Sequence, residues 1–435
     1  MSKIKLEIGK TRLLEFEKLP KALLLGVYKD SSEKPLCLEH LNELKSLAAT
    51  YGLETVQEIA APIREIESAT YLKSGKIEEI KNLSIELNVE VIIFDFEISP
   101  HQQRNLEKEI NCAVIDRTEL ILGVFAIHAK SNEAKLQVQL AQYKYEMPRL
   151  KRMWTHLSRQ KTGGKSGGHL KGAGERQIEI DRQILKKKIS DLQKEIDKIH
   201  EQRHLQRKKR IKTSIPSFAI VGYTNSGKST LMNALTDADV LVENKLFATL
   251  DTTTRKYVLD NRQEILLTDT VGFIRKLPHS LIASFKSTLE EAVYSDVLIH
   301  VIDISNESVK EMTEASLEVL KELKADTRPI ITCLNKVDEC KNPSIISYFK
   351  IKYPKTVEIS ALKKEGLDEL VELMIKEIAN LRKIIKLKIP QSYYKLVSEI
   401  IKEGRVITID YLENDILIEA EIPNILEKKL MDFVV

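Results

Sequence analysis

One eight-residue segment constrains the fold of this 435-residue chain more than any other. It reads Gly222-Tyr-Thr-Asn-Ser-Gly-Lys-Ser229, follows an apolar run at residues 218–221 and precedes a helical pattern at residues 230–235. Glycines let the backbone wrap closely around a phosphate, and the amides at a helix N-terminus face its negative charge. The segment therefore predicts a phosphate-binding loop, in which Lys228 reaches the β- and γ-phosphates and the Ser229 hydroxyl is a ligand of Mg²⁺.

Two four-residue motifs follow at the ends of further apolar runs. Asp269-Thr-Val-Gly272 can hold the metal through water with its acid, and its Gly272 amide can meet the γ-phosphate. Asn335-Lys-Val-Asp338 places a carboxylate where it can accept hydrogen bonds from guanine N1–H and the N2 amino group. Adenine does not offer that pair of donors, so Asp338 discriminates between the two bases. The aliphatic stem of Lys336 can cover the base.

A shorter motif, Ser360-Ala-Leu362, follows the run 356–359 and is the candidate loop that contacts the base. The four motifs occur in the order expected of a GTPase domain, and the strand-like runs 218–221, 265–268, 297–303, 329–334 and 356–359 alternate with helical patterns. That alternation predicts an α/β fold with a doubly wound, mostly parallel sheet.

A threonine must also close over the γ-phosphate and Mg²⁺. Spacing alone does not choose among the threonines of the segment that begins at residue 247, which are Thr249, Thr252, Thr253 and Thr254.

Three positions bear on the rate of hydrolysis. Phe273 follows Gly272 at the point where a Ras-like enzyme has a glutamine that orients the attacking water, so we expect slow unaided hydrolysis. The Asn225 side chain can coordinate a monovalent cation such as potassium beside the phosphates, or it can bond its own backbone. An arginine from this chain, Arg255 or Arg275, is a further candidate for stabilising charge.

The rest of the chain predicts additional domains. Residues 1–130 read as an α/β subdomain, residues 131–212 as a helical hairpin, residues 215–382 as the P-loop GTPase domain, and residues 385–435 as a small α+β domain. The hairpin prediction rests on two apolar seams with steps of three and four residues, one from Leu136 to Leu157 and one from Leu185 to Ile199. Pro148 should end or kink the first helix near Met147. The second helix is expected at residues 175–210, after a glycine-rich tip at residues 161–174.

The hairpin concentrates positive charge. Residues 149–212 contain 20 Lys/Arg and 7 Asp/Glu, a balance of +13, whereas the whole chain carries +4. The rest of the chain therefore carries 4 − 13 = −9, and a basic block within an otherwise acidic chain favours a polyanionic partner. Trp154, His156 and His169 offer stacking surfaces for bases, although Trp154 also lies on the apolar seam. The candidate RNA-contacting residues are Arg159, Lys161, Lys165, Lys171 and Arg176.

Other signals favour a cytoplasmic protein. The first residues do not resemble a signal peptide, and no apolar run approaches the 18 residues that suggest a membrane span. The four cysteines form no CxxC pair and are too few for a disulfide scaffold. We expect no stable membrane insertion and take a monomer as the default state.

Several segments outside the nucleotide motifs resemble the HflX family of bacterial translational GTPases. They are residues 94–107 (FDFEISPHQQRNLE), 116–118, 136–142, 148–150 and 156–160. The resemblance covers residues 20–380 and implies a cytoplasmic GTPase that binds the 50S ribosomal subunit and separates stalled 70S ribosomes. It further implies that the hairpin reaches 23S rRNA near the peptidyl-transferase centre, and that 50S stimulates hydrolysis.

The resemblance also selects the switch threonine. Residues 247–251 match the family's FATLD segment, which makes Thr249 the second Mg²⁺ ligand, and an apolar residue at the position of Phe273 is usual in the family. With that segment included, Lys228, Thr249, Gly272 and Asn225 are the candidate catalytic residues. The predicted GTP site then comprises Gly222, Tyr223, Thr224, Asn225, Ser226, Gly227, Lys228, Ser229, Phe247, Ala248, Thr249, Leu250, Asp251, Asp269, Thr270, Val271, Gly272, Asn335, Lys336, Val337, Asp338, Ser360, Ala361 and Leu362.

Two other functions stay open on sequence grounds. A GTP-gated RNA-binding factor acting in 50S assembly would have the same motifs and the same basic hairpin. A membrane or signalling switch would share the GTPase motifs, but the chain has no lipidation signal and such a switch has no use for the hairpin.

Overall fold

The computed structural model describes residues 4–7, 13–16, 19–150, 170–211, 215–236, 246–247, 252–276, 293–380, 382–403 and 405–435. The chain divides into two compact units. The first comprises residues 1–197, 243–251 and 275–286, and the second comprises residues 198–242, 252–274 and 287–435. Among the helices that are described, none is both long and apolar enough to cross a membrane.

The first unit contains a four-stranded parallel sheet. A short antiparallel hairpin of β1 (Ile4–Glu7) and β2 (Leu13–Phe16) precedes it. The sheet strands are β3 (Lys21–Tyr28), β4 (Glu54–Pro62), β5 (Val91–Phe94) and β6 (Ala113–Asp116), in spatial order β4-β3-β5-β6. All four residues of β5 are buried, as a near-continuous apolar run in a parallel sheet requires. Strands β3 and β5 coincide with two apolar runs of the sequence, at residues 22–28 and 89–96.

Two helices of the first unit have capping residues that explain where they end or begin. The helices of this unit are α1 (Lys34–Tyr51), α2 (Ser74–Glu86), α3 (Pro100–Ile110), α4 (Arg117–His128) and α5 (Asn132–Glu146). Helix α1 ends at Gly52, which has φ +91° and is the C-cap. Helix α3 begins with a capping box between Ser99 and Gln102.

The first helix of the predicted hairpin ends just before Pro148, as predicted from the effect of proline on a helix. Helix α5 stops at Glu146, and a 3₁₀ turn over Met147–Arg149 contains Pro148. The second helix, α6 (Leu170–Ile211), is 42 residues long and begins five residues earlier than predicted. The helix continues through Gly172 and Gly174 because a glycine lowers helix stability by only about 1 kcal/mol. Three of the candidate RNA-contacting residues, Arg159, Lys161 and Lys165, lie outside the described residues.

The residues of the predicted apolar seam of α6 are the ones that the structure covers. Leu185 and Ile196 are buried, and Ile189, Leu192 and Ile199 are half-buried, whereas most of the intervening residues are exposed. Lys188 lies 5.5 Å from the centre of the Tyr143 ring of α5. Tyr143 lies on α5 and Lys188 on α6, so these two helices contact each other at this point.

The second unit contains a six-stranded sheet with spatial order β12-β11-β10-β7-β9-β8. Its strands are β7 (Ser217–Gly222), β8 (Thr253–Val258), β9 (Glu264–Asp269), β10 (Val297–Asp303), β11 (Ile330–Asn335) and β12 (Thr356–Glu358). The described helices around it are α7 (Lys228–Thr236), α8 (Val309–Glu322), α9 (Pro343–Lys352) and α10 (Leu367–Asn380). Only the edge strand β8 is antiparallel to its neighbour within this sheet, which confirms the mostly parallel fold.

The C-terminal residues form a small α+β arrangement. Strands β13 (Arg382–Pro390), β14 (Arg405–Tyr411) and β15 (Asp415–Pro423) make an antiparallel sheet in the order β13-β15-β14. Helices α11 (Tyr394–Glu403) and α12 (Asn424–Leu430) accompany it, and their buried residues join one apolar cluster with the strands. Along the chain the elements follow the order strand, helix, hairpin, helix.

Candidate nucleotide site

The predicted phosphate loop connects β7 to α7, and two of its glycines are sterically required. Gly222 has φ +148°, and a Cβ there would lie 2.3 Å from the Val301 carbonyl oxygen. Gly227 has φ +95°, and its Cβ would lie 2.2 Å from the Asn335 amide nitrogen. Any larger residue would push the loop away from its neighbours. The loop therefore has the close backbone wrap that phosphate binding needs.

Lys228 is the charged group inside this loop. Its ammonium is buried and donates to the Tyr223 carbonyl oxygen at 2.7 Å. Burial lowers the pKa of Lys228 to about 8, although the Asp269 carboxylate acts in the opposite direction. A bound phosphate would supply the negative charge that this desolvated cation favours.

Two side chains predicted to hold Mg²⁺, Ser229 and Asp269, lie within hydrogen-bond distance of each other. The Ser229 hydroxyl, in the first turn of α7, donates to Asp269 Oδ2 at 2.6 Å, and Asp269 is the last residue of β9. A hydroxyl and a carboxylate are the hard oxygen ligands that Mg²⁺ prefers, so this pair fits that ion. The predicted second ligand, Thr249, lies outside the described residues, as do Ala248, Leu250 and Asp251.

The segment after Asp269 packs directly against the phosphate loop. Phe273 N donates to the Gly222 carbonyl at 3.0 Å, and Thr224 N donates to the Phe273 carbonyl at 2.7 Å. A Cβ on Gly272 would lie 2.8 Å from Thr224 Cα and 2.9 Å from Lys228 Nζ. Only glycine fits this approach, and the Phe273 side chain, 1% exposed, cannot orient a water molecule.

Thr270 and Val271 are the remaining residues of this motif. Both are buried, and the Thr270 hydroxyl donates to the Ile220 carbonyl at 2.7 Å. Their contacts are those of a structural anchor for the turn.

Asn335 joins the phosphate loop to the predicted guanine site. Its Nδ2 donates to the Ser226 carbonyl at 2.8 Å, and its Oδ1 accepts from Ala361 N at 3.0 Å. Sequence reasoning assigned Asn335 to the base motif without this bridging role, which depends on distances between strands. The residue therefore holds three of the predicted motifs in one arrangement.

The residues after Asn335 leave one carboxylate available for a base. Lys336 has φ +61°, and its ammonium contacts Asp303 Oδ2 at 2.6 Å, while Val337 is half-buried. A hydrogen bond from Ser360 holds the pKa of Asp338 below its ordinary value, and Lys363, 3.4 Å away, contributes in the same direction. Residue 338 as a whole is exposed, but its side chain is only 10% exposed because Ser360 and Lys363 engage the carboxylate. The lowered pKa keeps Asp338 ionised at neutral pH, as an acceptor for guanine must be. Leu362 is 77% exposed.

The structure narrows the choice of the threonine that closes over the γ-phosphate, for which spacing alone left four candidates. Thr253 and Thr254 belong to β8, and the Thr254 hydroxyl lies 2.9 Å from the Thr268 hydroxyl on β9. A position in a paired strand leaves these two unsuited to closing over a phosphate. Asn225, the candidate cation ligand, is exposed in the loop at φ +60°.

A P-loop GTPase is the class of protein that this sheet and these loops define. Three family profiles match the chain: "GTP-binding GTPase N-terminal" over residues 38–126, "GTP-binding GTPase Middle Region" over 128–210, and "50S ribosome-binding GTPase" over 217–336. GTPase HflX of Chlamydia pneumoniae is 45% identical over 414 residues, which cover 95% of this chain and 88% of that protein. The chain therefore belongs to the HflX family of GTPases, and the resemblance seen in the sequence is confirmed.

A second relative agrees with this assignment. GTPase HflX of Escherichia coli K12 is 40% identical over 344 residues, which cover 79% of this chain and 80% of that protein. A crystal structure of a GTP-binding protein from the archaeon Sulfolobus solfataricus in complex with GDP is 26% identical, covering 83% of this chain and 100% of that one at a TM-score of 0.44.

Proposed function

We propose that this GTPase binds the 50S ribosomal subunit, reaches 23S rRNA near the peptidyl-transferase centre with its basic hairpin, and separates stalled 70S ribosomes in the cytoplasm. The observation that carries the proposal is the joining of a guanine-nucleotide site to a long basic helix in one chain. The description of the family profile that covers residues 217–336, a ribosome-binding GTPase, supports it.

The charge on helix α6 supports contact with RNA. The side chains of Lys186, Lys187, Lys188, Lys194 and Lys198 are exposed, while the apolar seam of the same helix is covered. Exposed lysines neutralise phosphates and release counterions, which makes binding to nucleic acid strong and dependent on salt. Lys171 and Arg176 lie on the same helix, nearer the tip.

Hydrolysis of GTP to GDP and phosphate follows from the groups at the loop. Lys228 would stabilise the charge that develops on the β- and γ-phosphates, and the Gly272 amide would contact the γ-phosphate. Ser229, Thr249 and, through water, Asp269 would hold Mg²⁺, which supplies further neutralisation of phosphate charge. Buried hydroxyls of Thr224 and Ser226 have no hydrogen-bond partner among the described residues, which fits a loop built for a ligand.

The residue after Gly272 explains why fast GTP hydrolysis needs a partner. Phe273 replaces a water-orienting side chain, so hydrolysis by the protein alone is slow and the 50S subunit stimulates it. A potassium ion bound beside Asn225 would add positive charge at the phosphates. The chain acts as a monomer in this account.

A sucrose-gradient experiment separates this proposal from a role in subunit assembly. We expect the protein with a non-hydrolysable GTP analogue to convert purified 70S ribosomes into subunits and to sediment with 50S. An assembly factor would leave 70S intact and accumulate on precursor 50S particles, and that result would overturn the splitting function. Co-sedimentation with anionic vesicles in place of ribosomes would indicate a membrane switch.

A further inference from the structure

The peptide unit between Tyr223 and Thr224 connects two parts of the nucleotide site. Its carbonyl oxygen accepts from Lys228 Nζ at 2.7 Å, and its N–H donates to the Phe273 carbonyl at 2.7 Å. Lys228 is the side chain that reaches the β- and γ-phosphates, and Phe273 stands where a Ras-like enzyme has its water-orienting glutamine. Thr224 therefore lies between the phosphate-binding ammonium and the residue from which such an enzyme holds the attacking water.

The glycine before Phe273 packs against the same threonine. A Cβ on Gly272 would lie 2.8 Å from Thr224 Cα and 2.9 Å from Thr224 Cγ2, so the Gly272 main chain is in close contact with this residue. The Gly272 amide is the group expected to meet the γ-phosphate. Thr224 thus belongs to the γ-phosphate end of the loop, which is where hydrolysis takes place.

The Thr224 hydroxyl is a buried polar group to which the described residues offer no partner. Thr224 is 7% exposed, and its Oγ1 makes no hydrogen bond within the described part of the chain. The Thr270 hydroxyl, which is also buried, donates instead to the Ile220 carbonyl at 2.7 Å. A buried hydroxyl without a partner costs stability, and a bound ligand that supplies the partner recovers that cost.

A second hydroxyl of the loop has the same property but a different position. Ser226 Oγ is buried and makes no hydrogen bond within the described residues. It lies 3.2 Å from the place where a Cβ on Gly222 would stand, at the start of the loop. Of these two hydroxyls, only that of Thr224 belongs to a residue in contact with Gly272.

We propose that the Thr224 hydroxyl orients the water molecule that attacks the γ-phosphate, which makes Thr224 a catalytic residue of this GTPase. Its Oγ1 accepts a hydrogen bond from the water and so directs a lone pair of the water oxygen toward phosphorus. The new P–O bond forms as the bond to the β–γ bridging oxygen breaks. The electron pair of the broken bond leaves with GDP, and a proton of the water passes to the released phosphate. Phe273 supplies no such contact, so the slow hydrolysis by the protein alone depends on Thr224.

Single-turnover hydrolysis of labelled GTP by excess protein, without ribosomes, tests this role. Thr224→Val keeps the shape of the side chain and removes the hydroxyl, so we expect hydrolysis about 10- to 100-fold slower, as loss of one hydrogen bond to a reacting group predicts. Thr224→Ser keeps the hydroxyl and should retain most of the wild-type rate. Both variants should bind GDP and a non-hydrolysable GTP analogue as the wild type does, because the water is not part of the nucleotide.

Three results would overturn the proposal. The first is a wild-type rate in Thr224→Val. The second is a Thr224→Ser protein as slow as Thr224→Val, since the methyl group beside Gly272 would then matter and the hydroxyl would not. The third is weaker binding of the GTP analogue by Thr224→Val with an unchanged rate at saturation, which would make the residue a γ-phosphate ligand.

Thr313→Val is the matched control. Thr313 is a buried threonine of α8 outside the nucleotide site, and its hydroxyl donates to the Val309 carbonyl at 2.7 Å. Its hydrolysis rate and nucleotide affinities should equal those of the wild type.

Urea denaturation without nucleotide tests the observation on which the proposal depends. Thr313→Val loses a hydrogen bond and should unfold at a lower urea concentration than the wild type. Thr224→Val loses a hydroxyl without a partner and should unfold at the same concentration or a higher one. Destabilisation of Thr224→Val as large as that of Thr313→Val would show that the protein already satisfies the hydroxyl, and it would refute the proposal.

The inference rests on the nucleotide site of the proposed function and not on ribosome binding. A wild-type protein that binds neither nucleotide would defeat the site itself. Intact binding and hydrolysis with an unaltered rate in Thr224→Val would defeat only the role of Thr224.

Discussion

The side-chain amide of Asn335 donates to the main-chain carbonyl of Ser226 at 2.8 Å, so the residue that opens the base motif also holds the phosphate loop. Its oxygen accepts from Ala361 N in the third loop of the site. Substitution of Asn335 should therefore disturb the binding of both the phosphates and the base of a nucleotide.

Asn335→Ala should weaken binding of GDP and GTP alike by about 10- to 100-fold. The variant leaves a buried carbonyl and a buried amide without partners, each worth about 1–3 kcal/mol. Titration with labelled nucleotide measures the effect. Asn261→Ala, in an exposed turn of the same unit, is the matched control and should bind as the wild type does. Equal affinities for the two variants would contradict the bridging role.

Asp338→Asn should exchange preference from GTP to XTP. The amide can no longer accept from both guanine N1–H and the N2 amino group, whereas it can donate to the extra oxygen of xanthine. A site built for such a hydrogen-bond pair discriminates by several orders of magnitude, on the order of 10⁴. Competition between GTP and XTP for labelled nucleotide measures the exchange. Retained preference for GTP would refute the guanine assignment.

The buried ammonium of Lys228 should make nucleotide affinity depend on pH. Its pKa is lowered to about 8 in the free protein, and a bound phosphate favours the charged form. Affinity for GDP should therefore be constant below pH 8 and decrease as the pH rises through about 8, because binding must then take up a proton. Lys228→Met removes the titrating group, so its weaker binding should not change between pH 7 and pH 9. Parallel curves for the two proteins would exclude Lys228 as the phosphate ligand.

A buried carboxyl in the first unit should make the free energy of unfolding depend on pH. Burial raises the pKa of Asp116 to about 6, although the Arg149 charge lowers it. The folded state therefore binds this proton more tightly than the unfolded state does. Stability from this group is full below pH 3.8 and is lost as the pH rises through about 6, by about 3 kcal/mol in all.

Urea denaturation of wild type and Asp116→Asn between pH 4 and pH 7 measures that contribution. Asparagine keeps the hydrogen bond that caps α4 at Glu119 N but does not titrate. The difference in unfolding free energy between the two proteins should shift in favour of the variant as the pH rises. A difference that stays constant over this range would show that Asp116 does not titrate as described.

Local sequence signals predicted much of the fold, because each strand of the GTPase sheet except one is a short apolar run beside a loop signal. The exception is β8, where Thr253–Val258 alternates between half-buried and exposed residues and forms an edge strand. The sequence contains that alternation, but an edge strand of this kind lacks the apolar run that marks the other strands. The two glycines of α6 predict a later start than the structure has, because the neighbouring residues continue the helix through them.

The nucleotide motifs were predictable because each carries its own chemistry at a fixed spacing. The contacts of Asn335 with Ser226 and of Arg275 with Asp95 were not, since they join residues 109 and 180 positions apart in the chain. Arg275 was considered only as a source of charge at the phosphates. The structure instead gives its guanidinium two carboxylate partners in the first unit.

GTP turnover by the purified protein, with and without 50S subunits and in potassium and sodium buffers, tests the central claim most directly. The account predicts slow hydrolysis alone and strong stimulation by 50S, with more activity in potassium if Asn225 holds a cation. Asn225→Ala should then lose the potassium effect and keep the stimulation by 50S. Turnover that does not respond to 50S would contradict the claim that the ribosome completes this site.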